Sequence, residues 1–418
     1  MTVGMPYLFV AMDLLLISLA LPYLSKAFHL PGALAGFVAG SIFIGMMIGA
    51  SLWGFLADVL GRKRALQLTV TMYAIFTGLS ALSWNWISMT ILRIVTGIGM
   101  GGTIPLCFVY LSEFIPAKHR GKFLVLLDSF WAYGWIMASL LGYLIIPKLG
   151  WRFYFLFGTI PILTLIPLQL YLPESVRFLE EKGRKGEAEK ALREVSKKAG
   201  YTLPKQLGYA KSGAEVKVTV WELWSSKYRR RTLFSWILWF CMVYGYYSFF
   251  LWIIKFVAGL GYPVPKAMFY ALITSFAQIP GYFLSAWLVD KIGRRPTLTT
   301  FLVLTAASIF GFAYSKTSLE LIAWIAVISF FCLGAWGVVM TYTAEVYPTR
   351  IRGTGYGAAS GFGRLAGLIG PTIIGFLLDR YGLFVALTVT SASFLVGALD
   401  TLILGIETKG KTLEEISG

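Results

Sequence analysis

The chain has 418 residues, 57% of them hydrophobic and 14% charged, with a mean hydropathy of +0.72. That composition leaves too little polar surface to wrap a water-soluble globule of this size, so lipid must be the solvent for most of the chain. A net charge of +17 invites a nucleic-acid partner, but roughly 28 Lys/Arg fall in loops on one side, roughly 7 on the other and 2 inside apolar runs, a positive-inside bias that removes that reading.

A hydrocarbon core about 30 Å thick takes roughly 20 apolar residues per helix. Twelve runs meet that requirement: 5-24, 32-57, 65-83, 87-111, 122-146, 152-172, 231-254, 266-289, 297-314, 319-343, 355-378 and 383-405. An all-α membrane protein is therefore expected, with the basic side and both termini in the cytoplasm. The first run lacks a basic leader and passes directly into the second, so no cleavable signal is expected.

Ionisable residues deep in such runs face the protein interior and mark function more often than not. Asp13 lies about 12 Å into the first run and Arg93 about 10 Å into the fourth, counted at 1.5 Å per residue. A lone buried carboxylate holds its proton, whereas a neighbouring guanidinium readies it for release. The pair therefore reads either as a proton-coupling device or as a static ion pair. The fifth run carries Asp128 and an aromatic stretch, Trp131, Tyr133 and Trp135.

Residues 173-230 form a polar, basic linker. Within it Ala188, Ala191, Leu192 and Val195 recur at helical spacing beside Glu189–Arg193 and Glu194–Lys198 pairs, which predicts a short amphipathic helix. A solvated connector and a regulatory domain both fit that description. The seventh run offers Tyr244, Tyr246, Tyr247, Phe249, Phe250 and Trp252, and the eighth adds Gln278. Such rings either stack on a ligand face or simply pack. Arg364 sits at mid-depth in the eleventh run with no acid in its own span. It suits a substrate carboxylate, or else pairs with an acid such as Asp13 or Asp128. Asp400, near the cytoplasmic end of the last run, is expected to snorkel to the interface. Cys107, Cys241 and Cys332 have unrelated spacings within apolar runs, so no disulfide framework or metal site is indicated. Gly97–Gly102 with Pro105, and Gly370–Pro371, would permit close packing and bending.

The most informative pattern is internal repetition. Asp58-Val-Leu-Gly61-Arg62 recurs as Asp290-Lys-Ile-Gly293-Arg294, and Glu113-Phe-Ile-Pro116 through Arg120-Gly121 recurs as Glu345-Val-Tyr-Pro348 through Arg352-Gly353, both at an offset of 232. Glu174 and Glu407 form a fainter echo, displaced by one further residue. The repeat unit is six helices, which divides the chain into a first bundle (1-172), a linker (173-230), a second bundle (231-405) and a tail (406-418).

Over essentially its whole length the chain resembles the major facilitator superfamily. Gly54–Arg64 and Asp290–Arg295 look like its duplicated signature, while Pro173-Glu-Ser-Val-Arg177, Glu345–Gly353 and Glu407-Thr-Lys are similar to signatures of the sugar porters and their organic-ion and synaptic-vesicle-protein-like relatives. Ser129–Trp135, Tyr247–Trp252 and Gly361–Pro371 resemble the bacterial niacin and aromatic-acid permeases most. Asp128 and its aromatic neighbours depart from plain sugar porters, which usually carry a glutamine motif there.

The resemblance implies two pseudo-symmetric six-helix bundles and alternating access at a plasma membrane. Asp13 and Arg93 would couple protons. Arg364 would anchor an organic anion, with Tyr247, Gln278, Trp131, Tyr133 and Tyr244 as further substrate contacts. Asp58, Arg62, Glu113, Arg120, Asp290, Arg294, Glu345 and Arg352 would form a cytoplasmic gate that locks the outward-open state, simple topology-setting charge being the other reading. The expected function is proton-coupled symport of an aromatic or sugar-derived carboxylate. Sugar symport, facilitative uniport and a transporter-like nutrient sensor are the alternatives. No catalytic constellation, metal or cofactor is indicated; the partners expected are a small solute, protons and lipid, with the chain acting as a monomer.

Overall fold

The computed structural model describes residues 2–115, 123–124, 126–198, 220–348 and 351–409. Every regular element among them is helical. In chain order they are α1 (Gly4–Ala27), α2 (Gly32–Leu60), α3 (Arg62–Ser80), α4 (Trp86–Phe114), α5 (130–149) and α6 (151–171). After the linker come α7 (Arg229–Phe250), α8 (Val264–Ile292), α9 (Arg294–Ala313), α10 (Ser318–Val346), α11 (352–381) and α12 (383–403). Length and apolar character single out nine helices among the described residues as able to cross a membrane. Two of those nine are double crossings, broken at Gly150 and Gly382, and α3 is missed because it opens on Arg62, Lys63 and Arg64. Twelve crossings result, as the apolar runs predict.

The offset of 232 reaches further than the charged motifs. Gly150 and Gly382 turn the chain with φ of 81° and 83°, and Gly61 and Gly293 with φ of 98° and 100°. A side chain is strained at such angles, whereas glycine is not. These last two glycines also shift a boundary: the duplicated Gly-Arg motif is a corner rather than a loop, so α3 and α9 begin at Arg62 and Arg294 instead of 65 and 297.

Positive side chains at a helix N-terminus oppose the macrodipole, and both helices lack a local capping side chain. Remote carboxylates supply the caps. Glu174 accepts from the amide of Lys63 at 3.0 Å, and Glu407 accepts from the amides of Arg294 and Arg295 at 3.0 and 3.1 Å. Elsewhere capping is local: Asn85 and Ser88 form a capping box on α4, and Thr317 accepts from Glu320 on α10.

The halves meet chiefly through α2 and α11. Gly32, Gly36 and Gly40 face Gly375, Pro371 and Gly367, and a Cβ on Gly32, Gly36 or Gly375 would drive into the opposing backbone. Farther along the same helices, a Cβ on Gly54, Gly353, Gly357 or Gly361 would meet nothing within 4 Å. The two helices therefore touch at one end and splay apart toward the end that carries Arg62 and Arg294, here called the basic end. Other contacts between halves include Ser18 Oγ donating to the carbonyls of Phe250 and Leu251 (2.8 and 3.1 Å), and the Tyr143–Phe269 ring pair.

In the linker, the predicted amphipathic helix is Lys185–Lys198, preceded by Val176–Glu181. Ala188 and Ala191 pack on Phe178 and Leu179, and Glu189 pairs with Arg193 at 2.6 Å.

Candidate functional site

Asp13 and Arg93 are the most buried charges of the bundle, with side chains 1% and 0% exposed. α1 and α4 bring them together: Arg93 Nη1 lies 2.6 Å from Asp13 Oδ1, and Arg93 Nη2 donates to the Asp13 carbonyl at 3.3 Å. Thr77 on α3 donates to Asp13 Oδ2. Arg93 Nε has no acceptor among the described residues, and its guanidinium lies 5.9 Å from the Phe155 ring centroid. The carboxylate is thus doubly held, while one guanidinium nitrogen, Nε, makes no hydrogen bond among the described residues.

Arg364 on α11 points across the boundary between the halves. Its Nη1 donates to the main-chain oxygen of Met46 on α2, and it makes no ion pair among the described residues. Neither Asp13, bound to Arg93, nor Asp128, bound to Tyr7, reaches it. The phenols of Tyr247 and Tyr356 lie within electrostatic range of the guanidinium.

A continuous run of rings leads away from Arg364. Tyr247 meets Phe43 at 4.5 Å and Tyr246 at 4.8 Å; Tyr246 accepts from Trp131 Nε1 at 3.1 Å and meets Trp135 at 5.6 Å; Trp131 meets Tyr7 at 5.5 Å. Tyr7 OH then donates to Asp128 Oδ1 at 2.7 Å. Gln278 is 1% exposed and lines a small cavity beside Trp135, Ser139, Thr274 and Phe250. Its Oε1 has no hydrogen-bond partner among the described residues.

At the basic end the duplicated charges are assembled within each half. Arg62 lies 3.0 Å from Asp58 and 3.6 Å from Glu113; Arg294 binds Glu345 through two contacts of 2.8 Å and lies 4.0 Å from Asp290. Ser175 donates to Glu113 and Thr408 to Glu345, so the hydroxyl next to each capping glutamate belongs to the same network. Burial raises the Glu407 carboxyl, but hydrogen bonds from the amides of Lys409, Arg294, Arg295 and Thr408 outweigh it and leave the group below the ordinary carboxylate range.

Residues 23–418 match the sugar (and other) transporter family. The chain belongs to that family. It is 36% identical over 415 residues to a niacin transporter of Acinetobacter baylyi, covering 99% of this chain and 94% of that one. It is 34% identical to a putative niacin/nicotinamide transporter of Bacillus subtilis, covering 98% and 96%. The fold is similar to the inward-open xylose transporter of E. coli, with a TM-score of 0.78 at 22% identity over 99% of this chain and 97% of that one. The molecule is thus a multi-pass membrane transporter of the major facilitator fold that handles small organic solutes, not an enzyme.

Several expected sites need correction in this transporter. Tyr133 is 47% exposed and shares a helical stripe with Leu140 and Leu144, also exposed, so it faces outward while Trp131 and Trp135 face in. Tyr244 stacks on Phe240 and abuts Gly370, which makes it packing between α7 and α11. Asp400 does not snorkel: it is 6% exposed, and both carboxylate oxygens lack a partner among the described residues. Among the described residues Arg62 and Arg294 pair with acids of their own half, and Asp58 and Asp290 have side chains 70% and 84% exposed. Arg352 donates to the Tyr347 carbonyl at 3.4 Å, and Arg120 lies outside the described residues. Sequence reasoning passed over Thr77 and Tyr7, which only tertiary contact singles out, and placed Tyr246 merely among the rings of the seventh run.

Proposed function

We propose that this protein is a proton-coupled importer of a small aromatic carboxylate, working by alternating access in the plasma membrane with its basic end and both termini in the cytoplasm. The observation that carries the reading is Arg364, a guanidinium among rings whose hydrogen bond goes to a main-chain oxygen of the opposite half instead of to an acid. A planar carboxylate can engage two of its N–H groups and displace the weaker carbonyl. Substrate and Met46 would then compete for one cation, so binding loosens a tie between the halves. Two relatives named as niacin transporters favour an aromatic acid over a sugar acid.

Asp13 supplies the coupling. Its carboxylate is bound to Arg93, and a proton arriving at Asp13 would release the guanidinium. With the basic end cytoplasmic, the splay of α2 and α11 makes this conformation inward-facing. In the outward-facing one the exposed Asp58 and Asp290 would close against the opposite half as the gate. The division into residues 1-172, 173-230, 231-405 and 406-418 fits such rocking.

Uptake by proteoliposomes tests the whole reading. Nicotinate and benzoate should accumulate under an inward proton gradient in the wild type. Arg364→Ala should lose both, while Asp13→Asn should still exchange labelled substrate without accumulating it. Equal carboxylate uptake by Arg364→Ala and wild type would refute the anchor.

A further inference from the structure

α2 starts without a cap of its own. Pro31 precedes it and offers no side-chain acceptor, yet the Gly32 amide donates to Asp379 Oδ2, a carboxylate on α11 in the other half. The other side-chain caps on membrane helices among the described residues do not cross between the halves. Asn85 and Thr317 are local, and Glu174 and Glu407 come from the segments that follow the bundles they hold. The repeat does not call for this cap either: Pro31 recurs as Pro263 ahead of α8 at the offset of 232, but the position matching Asp379 in the first half is Pro147. The same two helices carry a carboxylate at each end. Asp58 stands on α2 at the basic end, where they splay, and Asp379 on α11 at the opposite end, where they touch. Lys255, just beyond α7, lies within electrostatic range of Asp379 and 4.9 Å from the Trp252 ring, whose Nε1 donates to the Pro371 carbonyl at 3.0 Å. Positive charge is thus fixed where the carboxylate docks.

We infer that Asp379 latches the end opposite the basic one: its carboxylate holds α2 against α11 while the basic end is open, and releases it when the halves rock the other way. This rests on the alternating-access reading. A carboxylate at a helix N-terminus satisfies an otherwise open amide and opposes the positive end of the macrodipole. Asp379 is an exposed residue, so water can solvate carboxylate and amide once they part. Such a contact biases the halves and still breaks in each cycle. Arg364 crosses the same boundary at mid-depth, where the substrate competes for it. Asp379 acts at the rim, through the α2–α11 contact, and is a positioning residue for transport.

The test places spin labels on Trp84→Cys and Leu319→Cys, exposed positions at that end in the first and second halves, the native cysteines being buried. With the full chain in lipid nanodiscs, it reads the ratio of long to short distances across the end. Asp379→Ala should raise that ratio about tenfold, the scale of a charged cap. Asp379→Asn keeps an acceptor without the charge and should raise it less; this variant decides the matter if Asp379→Ala proves unstable. Gly36→Val is the control, since it pries the same end apart without touching Asp379. A ratio that rises in Gly36→Val but in neither Asp379 variant overturns the latch and leaves alternating access standing, even if those variants melt earlier, which would mark a merely structural cap. A ratio that stays at the wild-type value in all three variants, with and without nicotinate, removes alternating access and the latch together.

Discussion

Asp13 and Arg93 illustrate how little freedom a buried ion pair leaves. Removing one partner strands the other in a water-free interior, at a cost of about 3–5 kcal/mol. Arg93→Met should therefore lower the thermal midpoint sharply in detergent, and the double variant Asp13→Asn/Arg93→Met should recover most of the loss without recovering accumulation. A midpoint for Arg93→Met within error of wild type would show that the pair is not buried as described. Glu407 makes a prediction of opposite kind, outside the bilayer. Its folded pKa lies below its ordinary 4.5, so its contribution to stability is present above that value and disappears as pH falls through the folded one. Acid should weaken the seat of α9 below about pH 4.5, and Glu407→Gln should show a shallower decline in midpoint with acid than the wild type.

At the scale of elements, α2 and α11 behave as a hinge with unequal ends. Gly36 has no room for a side chain against Pro371, whereas Gly54 and Gly361 have room to spare. Gly36→Val should favour the state in which that closed end opens. A shift of about 1.4 kcal/mol would change the population tenfold, read as increased labelling of a cysteine placed near Gly40 by a membrane-impermeant reagent from outside. Gly54→Val should do the reverse or nothing in the same assay. The corners before α3 and α9 are less forgiving. Gly61→Ala sets a side chain at φ 98° against Glu174, a strain of about 1–3 kcal/mol, and should lower both stability and transport.

For the molecule as a whole, the repeated offset ties together the corners at both ends and the charges at the basic end, with the capping glutamates one residue out of step. That regularity argues that each half is a unit. If the halves rock as units, a chain cut between Lys198 and Val220 and expressed as two pieces should still assemble and transport, because α2 and α11 rather than the linker hold the halves. Pieces that never copurify would count against that division.

Hydrophobic run length and charge pattern act locally, so the twelve crossings, the duplication and the buried charges of α1, α4 and α11 were legible in the chain itself. The period of the helix even fixes that Trp131 and Trp135 share a face and that Tyr133 does not, though composition alone grouped all three. Partners separated by a hundred residues were not legible. That Glu174 and Glu407 cap α3 and α9, that Arg364 meets Met46 instead of an acid, and that Asp128 is left with a phenol all depend on how helices rotate against one another. Those rotations follow from packing in three dimensions, where small residues let two backbones approach and large ones hold them apart.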